Sequence, residues 1–137
     1  MSVSYKRSLD GRQTTTMEIK TNAAVVAGDL LAITSGLVGP ATAADAAIIG
    51  IAGGDAASGA KCQVILLNEM SVVRVPYMGT TKTSIVEADL FGTKFDWDAT
   101  KKLNLDDTTG GYLQVVAYDN TAKTADVVVC KAALWNV

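Results

Sequence analysis

The chain has 137 residues, with 14 acidic and 12 basic side chains and a formal net charge of −2. That length predicts one domain with a real core. A net-acidic surface opposes a polyphosphate partner, which needs clustered Lys and Arg, and the lack of any His excludes His triads, His general bases and His metal sites from this chain.

Met1–Gln13 is polar and without sustained periodicity, and reads as an extended N-terminal arm. Lys6, Arg7 and Arg12 stand there against Asp10, so the arm is cationic on a net-acidic protein. Those charges and Tyr5 also break any apolar leader. From Thr14 a β domain is expected to run to Val137. Thr14–Lys20 alternates as a half-buried strand. Ala23–Ala27 approaches a Gly28-Asp29 turn, and Leu30–Ile33 is a short apolar strand. Leu37-Val38 fits a return strand. Ala41–Ala47 fits a helical turn or a loop, and the residues leave that open. Ala47–Ala52 and Cys62–Leu67 are further strands, joined by a Gly-rich turn.

Met70–Val75 reads as a strand ended by Pro76, because proline cannot donate to a ladder. A polar connector follows, and Ile85–Ala88 leads into Asp89. Thr93–Trp97 is a strand, and Lys101–Asp107 a charged hairpin region. Tyr112–Tyr118 and Ala125–Lys131 complete the series, and Ala132–Val137 closes the chain. Strands at short spacing with no helical period predict an all-β fold, a single barrel or sandwich-like domain. The longest uncharged run, Leu30–Ala44, holds Ser35, Gly36, Gly39 and Pro40 and is no membrane span.

An echo links two halves. VAGDLLAI resembles VEADLFGTKF, with Asp29 against Asp89, sixty residues apart. Ile49 matches Leu113 and Val64 matches Val128, each 64 apart, with the length change placed near Asp98–Lys102. Two such units would pair into one closed structure that hides strand edges.

Chemical motifs are sparse. Gly54–Cys62 (GDAASGAKC) imitates a phosphate loop, but Ala60 intervenes and a strand follows where a helix N-terminus is needed. Asp96, Asp98, Thr100 and Asp107 hint at a calcium loop, yet Lys101 occupies the sharp-turn position and repels a cation. Trp97 between the two Asp is expected to face the core. Asp96 with Asp98, or Asp106 with Asp107, are carboxylate pairs that read as exposed turn charges. Cys62 and Cys130 read as small buried hydrophobes, with a disulfide left open. No catalytic, cofactor-binding or metal residues are assigned. Tyr77, Met78 and Trp135 are candidate interface residues, as aromatic and Met side chains near turns.

Several stretches together resemble a family of small phage capsid decoration proteins, the cement or head-stabilising proteins, and more distantly the auxiliary head protein of lambda-like phages. They are Val26–Leu31, Gly36–Gly39, Ile48–Ala52, Lys94–Thr100, the Gly-Gly turn before Tyr112, and Asp126–Cys130. The resemblance spans about Thr14 to Lys131 and departs from the pattern in lacking a Gly/Pro-rich arm. It implies a non-enzymatic virion protein, made in the host cytoplasm, that binds the outer surface of an icosahedral head and stabilises the expanded capsid. The implied partners are the major capsid protein and two further copies in a homotrimer, with neither nucleic acid nor membrane. Ser2, Tyr5, Lys6, Arg7 and Arg12 would form the capsid-binding arm. A head-fibre or tail module, or a carbohydrate-binding domain, stays open as an alternative.

Overall fold

Short apolar runs punctuated by Gly, Asp and Asn become strands and tight turns throughout. The computed structural model describes residues 3–42 and 47–136, and these are all-β. In chain order the strands are β1 (Ser4–Ser8), β2 (Thr16–Lys20), β3 (Leu30–Thr34), β4 (Leu37–Pro40), β5 (Ile48–Ala52) and β6 (Lys61–Leu66). Then come β7 (Ser71–Met78), β8 (Lys94–Trp97), β9 (Leu103–Asn104), β10 (Leu113–Asp119) and β11 (Thr124–Val129). Single 3-10 turns lie at Glu87–Asp89 and at Lys131–Ala133. The open question at Ala41–Ala47 falls largely on residues 43–46, outside the described residues.

The echo is built into the topology. The first sheet runs β2-β6-β5-β3-β4, and the second runs β7-β11-β10-β8-β9 with β1 added outside β7. First strand matches first strand, and so on through five. In the second unit β9 pairs in parallel with β7, Tyr77 opposite Leu103, which closes a five-stranded barrel. In the first unit the corresponding edges meet at one parallel bridge, Thr21 with Val38. The leading turns match as well: Val26 N donates to Asp29 Oδ2, and Val86 N to Asp89 Oδ2, both at 2.9 Å.

The register corrects the sequence alignment by one residue. Ile19 pairs with Cys62 as Val75 pairs with Ala125, and Ala52 pairs with Val64 as Val115 pairs with Val127. The partner of Val64 is therefore Val127, not Val128. A one-residue slip exchanges the inner and outer faces, and Val127 lies in the main core cluster. The four extra residues fall between Asp89 and Phe95, because Leu31 stands where Phe95 does. They include Phe91, held at φ 62 and 65% exposed.

Two cores result. Ile19, Leu31, Val38, Ile49, Cys62 and Val64 fill the first unit. The larger cluster fills the second unit with Phe95, Trp97, Leu103, Leu113 and Val127, and extends across the outer face of β3 and β5 through Leu30, Ala32, Ile48 and Ile51. Hence β5 is buried at all five positions: one face lines its own unit, the other meets the neighbour, and alternation disappears. Gly50 on β5 allows a close approach, since a Cβ there would strike the Ile65 carbonyl oxygen and Val64 Cγ1.

Two expectations are corrected here. Pro76 does not end its strand, for β7 runs on to Met78. Its edge is shared: β1 pairs with residues Ser71 to Arg74, and β9 with Tyr77 and Met78. Pro76 falls in the gap, where the missing donor costs no ladder bond. The N-terminal stretch is likewise no free arm between residues 3 and 13. Ser4–Ser8 pairs antiparallel with β7, Leu9 N donates to Met70 O at 2.8 Å, and Val3 is 4% exposed in the main core.

Candidate binding surface and a buried carboxyl pair

Strand β1 carries the predicted arm residues on the sheet edge. Lys6 and Arg7 are exposed, and Tyr5 is half-buried against the main core. A register irregularity between Tyr5 and Arg7 bends the strand. Ser2 lies outside the described residues. Arg12 is already engaged: its Nε lies 2.6 Å from Asp10 Oδ2 and its Nη2 3.0 Å from Glu69 Oε1. The hydrogen bond from Ser8, with help from Arg12, holds the Asp10 carboxyl below the usual range. Arg12 therefore fastens the end of β1 to the β6–β7 turn.

Exposed apolar side chains collect at the same end. Leu9 and Met70 are joined by their backbone bond and are 47% and 36% exposed. Trp135 is 42% exposed, and its indole N–H donates to Leu67 O at 3.4 Å, beside the same turn. The interface expectation for Trp135 thus falls on accessible surface. Tyr77 does not. It is 4% exposed inside the barrel, and its hydroxyl donates to Asn120 Oδ1 at 2.8 Å. Leu103 opposite it completes the closing ladder, so its ring is spent on packing. Met78 is half-buried, with its sulfur 3.5 Å from Thr100 Oγ1.

The acidic residues separate into distinct roles. Asp106 accepts from the backbone N–H of Thr80, Lys82 and Thr81 at 2.6, 2.7 and 3.1 Å. Those donors, Lys82 first, lower its pKa. Asp98 accepts from Thr100 Oγ1 and N at 2.5 and 2.8 Å, and these bonds lower its pKa too. Both are turn anchors. Lys101 adopts φ 66 and swings its Nζ to 2.8 Å from the buried Asp29, tying the second unit's hairpin to the first unit's leading turn. Lys82 Nζ lies 2.9 Å from Asp89 Oδ2, a pair that stays within the second unit.

Asp96 is different. Its backbone N donates to Asp107 O at 3.0 Å, the side chain is 4% exposed, and Oδ1 has no hydrogen-bond partner. Burial first, then the neighbouring Asp107 carboxyl, push its pKa up to about 6. The close pair is Asp96 with Asp107, whereas the sequence suggested Asp96 with Asp98 and Asp106 with Asp107. Strand β8 and the loop after β9, not adjacent residues, make the pair, and no spacing rule on one chain segment reveals that. Trp97 turns into the core as expected, 1% exposed. Among the described residues no group of three acidic or Cys side chains is placed to hold a metal.

Gly54–Ala60 forms a turn locked by Thr21 Oγ1, which donates to Ala57 O and Ala60 O at 2.8 and 3.0 Å, and Lys61 and Cys62 already belong to β6. Cys62 and Cys130 are unbridged thiols, raised in pKa chiefly by burial. An open hollow of about 410 Å³ lies beside the Arg74–Asp126 ion pair, whose Nε–Oδ1 distance is 2.8 Å. A second, of about 440 Å³, lies between Tyr5 and Thr14. Neither contains Asp96, Asp98 or Tyr112. No helix among the described residues is long and apolar enough to cross a membrane. No protein-family model matches the chain, and a search of curated proteins finds no match.

Proposed function

We propose that this chain is a non-enzymatic structural protein of a phage virion, binding the outside of an icosahedral head and stabilising its expanded form. The observation that carries the reading most is the β1 end of the molecule. There an edge strand bearing exposed Lys6 and Arg7 adjoins exposed Leu9, Met70 and Trp135 on a protein of net charge −2. Apolar anchors beside a cationic edge suit an acidic protein surface. The fold serves that use, because two interlocked β units give a stiff body that loses little entropy on docking.

The mechanism is linkage. A protein that binds the expanded shell, and not its dissociated subunits, stabilises the shell in proportion to its occupancy. Binding as a homotrimer to the major capsid protein would multiply modest contacts by avidity.

Removing residues 1–13 is the wrong test, since β1 belongs to the body. The charge-reversal variant Lys6→Glu/Arg7→Glu keeps the strand. Co-sedimentation with expanded heads should show saturable binding by the wild type and at least about tenfold weaker binding by the variant. Equal binding by both would remove β1 from the interface, and no binding by either would remove the reading.

A further inference from the structure

The two units are equivalent strand by strand, but their outer edges are not equally covered. The edge of β7 is filled by β1 over Ser71 to Arg74. The matching edge of β2 spans Thr15 to Glu18, because Ile19 stands where Val75 does. There Thr15 O accepts from Leu66 N, toward β6, while Asn22 N donates to Val38 O on the opposite side. Alternation therefore turns the backbone N–H and C=O of Thr16 and Glu18 toward the open edge, and no strand pairs with them among the described residues. Met17 shows the consequence: it is 53% exposed, whereas its counterpart Val73, opposite Tyr5 of β1, is fully buried.

Among the described residues another edge is open, the outer side of β1, which pairs there with β7 alone. We propose that the free edge of β2 receives the outer edge of β1 from a second copy of this chain, joining the two molecules through a continuous β-sheet. Charge disfavours the pairing of two β1 edges, which would set Lys6 and Arg7 against their own kind, whereas the open stretch of β2 carries Glu18, with Lys20 two residues beyond it. The contact is heterologous, so β1 of each copy serves β2 of the next and the assembly closes as a ring or grows as a filament. This deepens the self-association expected of the virion reading but requires no shell.

The test is the solution mass of the intact chain, by light scattering after gel filtration, from about 1 μM to about 1 mM. The wild type should form a multiple of 14.2 kDa. Thr16→Pro removes only an outward N–H, so it should keep the far-ultraviolet spectrum and shift the chain to monomer. Glu18→Lys leaves every backbone donor in place and should weaken association at least tenfold. A wild type that stays at 14.2 kDa throughout overturns the proposal. So does a multimer that both variants leave intact, a result that would spare self-association by another surface and leave shell binding untouched.

Discussion

Replacing Asp96 with Asn should stabilise the protein at neutral pH, although it removes a native charge. Asp96 is 4% exposed, its Oδ1 lacks a partner, and the Asp107 carboxyl stands beside it. Lys94 on its own strand and Asp98 just past that strand's end flank it two residues away, and Asp98 is occupied by Thr100. The folded pKa is raised from 3.8 to about 6. A raised pKa means that the fold favours the protonated form. The stability tied to that proton is fully present below the unfolded value and is lost as pH rises through the folded one. A shift of about two units corresponds to at most about 3 kcal/mol, less where the proton is shared with Asp107. Asn imitates the protonated acid, with an amide able to donate to Asp107 at every pH. Urea unfolding should show wild-type stability falling between about pH 4 and pH 7, with this fall absent in Asp96→Asn. The variant should be the more stable by about 1–3 kcal/mol at pH 8, and no more stable at pH 4. Asp10, Glu69, Asp98 and Asp106 have lowered pKa values, so their contributions are lost only on acidification below the unfolded carboxylate range and do not blur this window. Wild-type stability that rises from pH 5 to pH 8, with the Asn variant weaker throughout, would refute the reasoning.

Lys101→Met leaves the Asp29 carboxylate buried without its cation, so urea unfolding should show a loss of about 1–3 kcal/mol that Lys101→Arg largely restores. Leu103→Ala empties a fully buried position at the closure of the second unit's barrel and should cost about 2–5 kcal/mol, while Leu9→Ala on the surface should cost under about 0.5 kcal/mol. Gly50→Ala drives a methyl into the Ile65 carbonyl and should lower stability by about 1–3 kcal/mol, read as a fall in thermal midpoint. Thiol titration of the native protein should find Cys62 unreactive until denaturant is added, given its burial and raised pKa.

Much of the fold was readable because its strands are short, apolar and bounded by turn residues. Leu30–Thr34, Lys61–Leu66 and Lys94–Trp97 fall close to where alternation and Gly/Asp punctuation put them. The duplication was visible through Asp29 and Asp89, whose side chains close the same turn in each unit. Its register was not visible, because Val127 and Val128 are the same residue type and only the pairing partner tells inside from outside. Strand β1 was missed for a related reason. Its residues Ser4, Lys6 and Arg7 are mostly polar and exposed, so no period marks it, and β7 rather than its own sequence makes it a strand. Tyr77 looked like surface because it follows a proline, yet parallel pairing with β9 draws it inward. The Asp96–Asp107 pair depends on contact between segments that local spacing cannot foresee.

Shell stabilisation is the claim to test most directly. Expanded phage heads lacking a decoration layer should be heated with and without the purified chain, and DNA release followed by dye fluorescence. Release should move to higher temperature as the chain is added, and level off once the surface is saturated. An unchanged release temperature at saturating protein would contradict the account.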